Sequence, residues 1–183
     1  MPFGSSQWMY SSGFYPTEID QSLRFDGTSY LSRTFGSGNR KTWTWSSWVK
    51  RSKVGATQAF IDTRPVINAT QLTNLYINAS DVLVLGTGAA DWRITTQVFR
   101  DTSAWFHLVC AFDSTNATAN NRVRFYVNGE EITSFSTIVN PTLNTDYGLN
   151  QAAQHCIGTL GSGTGDPLNG YLADTYFVDG TAL

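Results

Sequence analysis

Short runs in which apolar and polar residues alternate recur from position 22 to the end of the chain. Each run is followed by a cluster of Gly, Asn, Asp or Ser. Because successive side chains of a strand point to opposite faces of a sheet, this period of two predicts β-strands. Twelve runs fit: 22–25, 29–34, 42–51, 58–63, 74–77, 81–85, 92–99, 105–112, 122–127, 130–135, 155–158 and 171–178. Many short strands without a helical period are typical of an all-β sandwich or barrel.

The phase of the alternation indicates which side chains are buried. In the run 105–112 one face is apolar, and we predict that it forms core through Phe106, Leu108, Cys110 and Phe112. In the run 42–51, Trp43 and Trp45 share a face, whereas Trp48 points the other way and is expected to be half exposed. The dipeptide Asn128-Gly129 predicts a tight antiparallel hairpin, since both residues tolerate positive φ.

The first 22 residues show neither the period of a strand nor that of a helix. We therefore divide the chain into an N-terminal arm, residues 1–22, and a sandwich domain, residues 23–183. The arm is rich in Gly and Ser but also carries large apolar side chains, namely Phe3, Trp8, Met9, Tyr10, Phe14 and Tyr15. A solvated arm would be poor in aromatic residues, so these side chains are expected to dock. The arm is either a strap on its own domain or a contact with a neighbouring subunit.

Composition and charge narrow the classes of partner. The chain has 183 residues, enough for one sizeable core, and only 14% of them are charged. Its net charge of −2 provides no basic surface for nucleic acid or an anionic membrane. No apolar run is long enough for a membrane span, and residues 1–15 lack the basic start and apolar run of a signal peptide. We expect no nucleic-acid or membrane partner and no standard secretion.

The carboxylates argue against catalysis. A retaining glycosidase needs two carboxyl groups about 5 to 5.5 Å apart on either side of the glycosidic bond. The only glutamates are Glu18, Glu130 and Glu131. Glu18 lies in the arm, and adjacent residues of a strand point to opposite faces. We therefore predict no catalytic residues and a protein that is not an enzyme.

Metal-binding patterns are also missing from the sequence. The spacing of His107, Cys110, His155 and Cys156 matches no zinc motif. The two cysteines are expected to be buried thiols, with a disulfide between them as the alternative. Oxygen ligands for calcium occur in or beside loops without a recognisable spacing, at Asp81, Asp91, Asn144, Asp146 and Asp166. No cofactor is assigned, and a calcium site stays unlocated.

Glycan recognition requires an exposed aromatic ring beside planar hydrogen-bonding groups, since sugars present apolar C–H faces and hydroxyl groups. Two clusters in the loops have this composition. The first consists of Asp91, Trp92 and Arg93, and the second of Asn144, Asp146, Tyr147 and Asn150. In the alternative interpretation Trp92 begins a strand and packs inward, as most aromatic residues of a sandwich do.

Six blocks of the chain, in order, resemble laminin-G-like domains of the concanavalin A-like lectin/glucanase superfamily. They are SLRFDGTSYLSRT, TWTWSSWVKR, WFHLVCAFD, RVRFYVNGEEI, HCIG and NGYLADTYFVDGTAL. Trp48, His107 and the hairpin residues Asn128 and Gly129 are among the matching positions. The resemblance covers residues 23–183 and implies a two-sheet antiparallel jelly-roll sandwich.

Within this superfamily, Arg33-Thr34, Lys50-Arg51 and the ending YLADTYFVDGTAL, residues 171–183, resemble domains of tailed-bacteriophage structural proteins. This resemblance implies a non-catalytic virion component, either decorating the capsid or belonging to a tail appendage. Such a protein would assemble through its arm, with copies of itself and other virion proteins as partners, and would bind host-surface glycans. The expected location is the virion. The alternatives are a cellular carbohydrate-binding module and, third, a glycoside hydrolase.

Overall fold

The computed structural model describes residues 21–64, 72–161 and 165–183, and these form thirteen β-strands. In chain order they are β1 Leu23–Asp26, β2 Leu31–Thr34, β3 Thr42–Arg51, β4 Gln58–Arg64, β5 Thr73–Ile77, β6 Val82–Thr87, β7 Asp91–Val98, β8 Phe106–Asp113, β9 Val123–Val127, β10 Glu130–Glu131, β11 Phe135–Ile138, β12 Gln154–Ile157 and β13 Asn169–Asp179. A short 3-10 helix, Ala119–Arg122, precedes β9. In this part of the chain no helix is long and apolar enough to cross a membrane.

The strands form two antiparallel sheets. The six-stranded sheet has the order β1-β13-β3-β8-β9-β10, and the seven-stranded sheet has the order β11-β7-β6-β5-β4-β12-β2. Consecutive strands along the chain are often not neighbours, because the chain repeatedly crosses from one sheet to the other. The prediction of an all-β, two-sheet antiparallel jelly-roll sandwich is confirmed.

Aromatic side chains fill the space between the sheets. Trp43 and Trp45 of β3 are fully buried, as the alternation predicts. Trp43 stacks on Phe112 of β8 with ring centroids 5.0 Å apart, and Trp45 stacks on Phe60 of the opposite sheet at 5.8 Å. The face of β8 that carries Leu108, Cys110 and Phe112 belongs to the same core, which confirms the predicted phase.

A buried ion pair connects the ends of the two sheets. Arg51, the last residue of β3, is fully buried and donates from Nη1 to Asp81 Oδ1 at 2.9 Å. Asp81 lies in the turn before β6 with a positive φ of 64°. Its carboxylate also accepts the Gly55 amide N–H at 2.8 Å and the Nε of exposed Arg100 at 3.0 Å. One carboxylate therefore holds three separate chain segments.

The predicted hairpin is present, but the strand after it is divided. Asn128 and Gly129 have φ values of 53° and 85° and connect β9 to β10. The prediction of one strand over 130–135 is wrong, because the chain leaves the six-stranded sheet after Glu131 and joins the seven-stranded sheet at Phe135. Ile132 is buried between them, and its amide N–H donates to the Phe125 carbonyl. Because the chain crosses between the sheets here, residues 130–135 cannot form the continuous row of backbone hydrogen bonds that a single strand needs.

Both cysteines are buried and neither forms a disulfide, so the expectation of thiols is confirmed and the disulfide alternative is wrong. Burial raises the pKa of the Cys110 thiol, which keeps it protonated. The arm residues Phe3, Trp8, Met9, Tyr10, Phe14 and Tyr15 lie outside the described residues. The division into an arm and a domain therefore stays a prediction, although β1 begins at Leu23, where the sandwich was predicted to begin.

Candidate functional site

Aromatic side chains cover the outer face of the six-stranded sheet. The alternation that buries Trp43 and Trp45 turns Trp48 outward, where it is half-buried, and the neighbouring strands present further rings on the same face. We call this surface the aromatic face and define it by Trp48, Trp105, His107, Tyr126, Tyr171 and Tyr176. Five of the six are half-buried, and Tyr176 is exposed. The alternation in the sequence predicts only Trp48 as a half-exposed aromatic residue.

Trp48 and His107 form the centre of the aromatic face. They are paired across β3 and β8, and their ring centroids are 5.2 Å apart with a tilt of 42°. On the other side of Trp48 the paired residue is Ala173 of β13. Because alanine is small and Ala173 is only 5% exposed, no large side chain of β13 is paired with the indole at this position.

The next row across the sheet consists of Tyr176, Ser46, Val109 and Tyr126. Tyr176 pairs with Ser46, Ser46 with Val109, and Val109 with Tyr126. The two tyrosines are three strand spacings apart, about 14 Å at roughly 4.8 Å per strand, and smaller side chains lie between them. Ser46 Oγ is 3.4 Å from His107 Nε2, so hydrogen-bonding groups lie on the surface between the two tyrosines, which we call the floor. The arrangement is a shallow polar floor bounded by rings.

A bulge in β13 turns Tyr176 outward. Ala173 pairs with Trp48 and Tyr176 with Ser46, so β13 contains one more residue than β3 over this stretch. Asp174 has a positive φ of 47°. Ser47 of β3 stabilises the bulge, because its hydroxyl lies 3.1 Å from the Ala173 carbonyl oxygen and 2.7 Å from Thr175 Oγ1. Tyr176 is therefore 59% exposed, whereas Phe177 turns inward and contacts Trp43.

Charged and aromatic side chains meet at one end of the aromatic face. Arg24 of β1 donates from Nη1 to the Tyr171 hydroxyl at 2.7 Å, and its guanidinium lies 5.2 Å from the centre of that ring. Trp105 is on the other side of Tyr171, with ring centroids 6.1 Å apart. Lys50 of β3 pairs with Tyr171. Donors that suit sugar hydroxyl groups thus lie beside two rings.

His107 contributes a neutral ring to the aromatic face. Its partial burial lowers its pKa, and the Asp174 carboxylate opposes this effect in part. The imidazole is therefore uncharged at neutral pH, with one nitrogen that donates and one that accepts a hydrogen bond. An uncharged ring is easier to desolvate than an imidazolium when a ligand covers it.

Trp92 and Tyr147, the two aromatic residues proposed for glycan binding in the loops, lie in the core. They are 3% and 5% exposed, and their rings meet edge to face with centroids 4.5 Å apart. The Tyr147 hydroxyl accepts the Thr142 amide N–H at 2.8 Å. The structure brings the two predicted clusters together, but through buried rings that offer no face to a sugar. This burial corrects the prediction, and the alternative in which Trp92 packs inward is the one observed.

Arg93 is a structural residue. Its buried guanidinium donates to the carbonyl oxygens of Trp92, Val139 and Asn120 at 2.8 to 3.2 Å and to Asn140 Oδ1 at 2.7 Å. These bonds tie β7 to the segment after β11 and to the 3-10 helix. Burial lowers the pKa of the group. Because Arg93 is buried and both of its Nη atoms donate within the fold, it does not fulfil the predicted role of a glycan ligand.

The remaining members of the two clusters are spread over different places. Asp91 accepts a hydrogen bond from the Tyr76 hydroxyl at 3.2 Å. Asn144 and Asp146 are exposed on the loop before Tyr147. Asn150 is buried, and its Nδ2 donates to Asp179 Oδ1 at 2.6 Å and to the Asn39 carbonyl at 3.1 Å. None of these four residues lies on the aromatic face.

The described residues contain no facing pair of glutamates and no metal-binding cluster. Glu130 and Glu131 are exposed neighbours on the two-residue strand β10, and Glu18 lies outside the described residues. Over the same ranges, no group of three His, Cys, Asp or Glu side chains is arranged to hold a metal ion. Of the five calcium candidates, Asp81 neutralises Arg51 and Asp91 binds Tyr76, while Asn144, Asp146 and Asp166 lie in loops.

A laminin-G-like family model, described as the concanavalin A-like lectin/glucanases superfamily, matches residues 25–182. No curated protein matches the chain significantly. Solved structures with the same fold include domain 4 of AbnA, a GH43 extracellular arabinanase from Geobacillus stearothermophilus, in complex with arabinotriose. It has 17% identity and a TM-score of 0.63 over 91% of this chain and 74% of that chain.

Two further structures are similar. The native heptameric SAP-like pentraxin from Limulus polyphemus has 17% identity and a TM-score of 0.60, over 88% of this chain and 77% of that chain. The CBM40 of the Ruminococcus gnavus IT-sialidase has 12% identity and a TM-score of 0.57, over 89% of this chain and 93% of that chain. At these identities the similarity shows the fold alone.

Proposed function

We propose that this chain, which belongs to the concanavalin A-like lectin/glucanase superfamily, is a non-catalytic domain. We propose further that it binds glycans through its aromatic face. The observation that carries this proposal is the set of rings around Trp48 and His107 on one side of the six-stranded sheet. Outward-facing rings are costly to expose in a small domain unless a ligand or partner covers them. The aromatic face therefore replaces the two loop clusters as the site.

The chemistry of the aromatic face suits a sugar. The apolar C–H face of a pyranose stacks on an indole or phenol ring, and its hydroxyl groups bond to neighbouring polar side chains. Ser46 and neutral His107 supply both donors and acceptors between the rings, and Arg24 and Lys50 supply donors at one end. The distance between Tyr126 and Tyr176 favours an oligosaccharide over a single sugar. No pair of carboxylates faces this floor among the described residues, which supports binding without hydrolysis.

The similar structures support glycan binding only at the level of the shared fold. Domain 4 of the arabinanase was solved with arabinotriose, and the CBM40 was also solved with α2,3-sialyllactose, although these ligands belong to those proteins. Parts of two sialidases, 21% and 26% of their chains, are also similar to this chain, so the fold by itself does not separate binding from hydrolysis. The proposal of a non-enzyme depends on the side chains of this chain.

Replacing Trp48 with alanine tests the site. The full chain is first screened on a glycan array, and the best ligand is then titrated by calorimetry. Loss of a central aromatic contact typically costs about 1 to 2 kcal/mol, so Trp48→Ala should weaken binding roughly 5- to 30-fold. Tyr30→Ala is the matched control, because Tyr30 is a partly exposed aromatic in the turn between β1 and β2. It should bind like the unmodified chain.

The same titration can refute the proposal. If Trp48→Ala keeps its far-ultraviolet circular dichroism and thermal midpoint and still binds with unchanged affinity, the aromatic face is not the site. Release of reducing sugar by the purified chain from any array ligand, absent from a mock purification, would contradict the non-catalytic part. That experiment also separates the domain from the third candidate, a glycoside hydrolase.

We further propose that the domain belongs to a structural protein of tailed-bacteriophage virions, as a capsid decoration or tail appendage. The support is the resemblance of Arg33-Thr34, Lys50-Arg51 and residues 171–183 to such domains, together with the aromatic arm. The second candidate is a cellular carbohydrate-binding module, for which the aromatic face would serve equally well. Immunogold labelling of purified phage particles separates the two, since a cellular module would leave the particles unlabelled.

A further inference from the structure

One end of the aromatic face carries positive charge as well as rings. Arg24 of β1 pairs with Tyr171 of β13, and Tyr171 pairs with Lys50 of β3, so the two cations flank one phenol ring. Trp105 directly precedes β8, and its ring centroid is 6.1 Å from that of Tyr171. We call these four residues the cationic end. Trp48 is two residues from Lys50 along β3, about 7 Å at roughly 3.4 Å per residue, so the cationic end adjoins the centre of the aromatic face.

The side chains of the cationic end mainly offer hydrogen-bond donors. The Tyr171 hydroxyl accepts from Arg24 Nη1 at 2.7 Å, so its own proton is available to a ligand. Among the described residues, Arg24 Nε and Nη2, the Lys50 ammonium and the Trp105 indole N–H have no hydrogen-bond partner. Guanidinium, ammonium and indole groups have no acceptor. The centre of the aromatic face differs, because its hydroxyl and imidazole groups both donate and accept. A ligand group that only accepts hydrogen bonds therefore suits the cationic end.

The two cations have no carboxylate partner within the described part of the chain. Neither Arg24 nor Lys50 takes part in an ion pair there. Asp26, two residues from Arg24 along β1, accepts its hydrogen bonds from its own turn, and Asp101 does the same. Hydrogen bonds from Ser103 chiefly lower the pKa of Asp101, and the charge of Lys50 adds to this effect. Each carboxylate is thus held by its own turn, and the two cations are available to an anion.

We infer that the cationic end binds the carboxylate of an acidic sugar, so that the ligands of the aromatic face are anionic glycans. A carboxylate accepts two parallel N–H bonds from a guanidinium, and such bonds are stronger than those to a neutral hydroxyl. Arg24 is oriented for this contact, because its bond to Tyr171 and its position 5.2 Å from the ring centre hold the guanidinium in place. The sugar ring that carries the carboxylate lies against Trp105.

Two cations match a single carboxylate and not a polyanion, since the chain as a whole has a net charge of −2. The inference rests on the proposed glycan site and adds the charge of its ligand. It assigns the donor-rich end to an acidic sugar and leaves the centre, with its donors and acceptors, to neutral sugar residues.

Matched pairs of glycans test the charge of the ligand. An array carries uronic-acid and sialic-acid oligosaccharides, each beside the same oligosaccharide with its carboxyl group reduced to an alcohol, and the best pair is titrated by calorimetry. The acidic member should bind at least tenfold more tightly, which corresponds to about 1.4 kcal/mol. Its binding should weaken more than that of the reduced member when NaCl is raised from about 0.05 M to about 0.5 M. The set that shows the preference identifies the class of acidic sugar.

Arg24→Gln tests whether the cationic end is responsible. Glutamine can still donate to a hydroxyl but has no charge, so the ratio of the two affinities should fall at least fivefold. Arg33→Gln on β2 is the matched control, because Arg33 is exposed and lies in the other sheet. It removes the same charge and should leave the ratio unchanged. Thermal midpoints of both variants check that they are folded.

The outcomes separate this inference from the proposed site. Equal binding of the two members by the unmodified chain, equal effects of Arg24→Gln and Arg33→Gln, or tighter binding of sulfated than of carboxylated glycans would overturn the inference. The proposed site would still stand if Trp48→Ala weakened both members. Conversely, a preference for the acid that depends on Arg24, with no effect of Trp48→Ala, would keep the cationic end and remove Trp48 from the site. An array without any bound glycan would overturn both.

Discussion

Replacing Asp81 with asparagine removes one charge from the buried ion pair and changes little else. Asparagine has nearly the same shape and tolerates the positive φ of 64° at this position. Its side-chain oxygen can still accept the Gly55 amide N–H. The variant therefore isolates the electrostatic contribution of the carboxylate to the fold.

The expected cost follows from the burial of Arg51. The guanidinium has no solvent contact, and without the carboxylate its remaining described acceptor is the Phe99 carbonyl oxygen. Removing one partner of a buried ion pair costs about 3 to 5 kcal/mol, because the other charge stays buried and uncompensated. A domain of this kind has a total stability of about 5 to 15 kcal/mol, so Asp81→Asn should lose a large share of it.

Urea unfolding at pH 7, followed by tryptophan fluorescence, measures this loss. With a denaturant slope of about 3 kcal/mol per molar, the midpoint should fall by roughly 1 to 2 M. Arg100→Gln is the control, since the Arg100 side chain is 62% exposed and its pair with Asp81 should contribute at most about 1 kcal/mol. Equal midpoint shifts for the two variants, or a shift below about 0.3 M for Asp81→Asn, would refute the reasoning.

The pH dependence provides an internal check. Burial acts to raise the pKa of Asp81, but the Gly55 amide, Arg100 and Arg51 together lower it below its usual value. A carboxylate with a lowered pKa in the folded state stabilises the protein above the unfolded pKa of about 3.9 and ceases to do so as the pH falls through the folded value. The difference between the unmodified chain and Asp81→Asn should therefore narrow below about pH 4.

Two further predictions concern His155 and Gly170. His155 Nε2 accepts the Asn150 amide N–H at 2.9 Å, and burial lowers its pKa, so acid protonation breaks this bond. The unmodified chain should therefore lose more stability than His155→Gln between about pH 7 and pH 5, and equal losses in urea titrations would contradict this. A Cβ at Gly170 would lie 2.3 Å from the Lys50 carbonyl oxygen. Gly170→Ala should cost at least about 1 to 3 kcal/mol, whereas Gly36→Ala, which has open space, should leave the thermal midpoint nearly unchanged.

The strands with strong alternation could be predicted from the sequence. β3 has the predicted bounds 42–51, and β8 differs from the predicted run by one residue at each end. These strands lie at the centre of the sheet, where one face is fully buried and the local pattern agrees with the fold. The division of 130–135 between two sheets could not be predicted, because it depends on the path of the chain and not on its local pattern.

The candidate site was predictable only in part. The phase of β3 indicates that Trp48 faces outward, but its neighbours come from strands that are distant in sequence. His107 reaches it through the pairing of β3 with β8, and Tyr176 through the pairing with β13 and its bulge. In the same way, no sequence pattern places Tyr147 against Trp92. The composition of the loops suggested sugar ligands, while packing demanded that both rings be buried.

Because of the bulge in β13, two adjacent aromatic residues have different roles. Phe177 packs in the core, and Tyr176 faces outward where a ligand would bind. If β13 kept all its residues but ran through 174–175 as a regular strand, its second half would shift by one residue against β3, and Phe177 would exchange faces with Tyr176. Composition and length would hardly change, yet the core would receive a phenol hydroxyl and the surface would lose one. The chemistry that this sheet offers to a ligand thus depends on where β13 bulges as well as on which residues it contains.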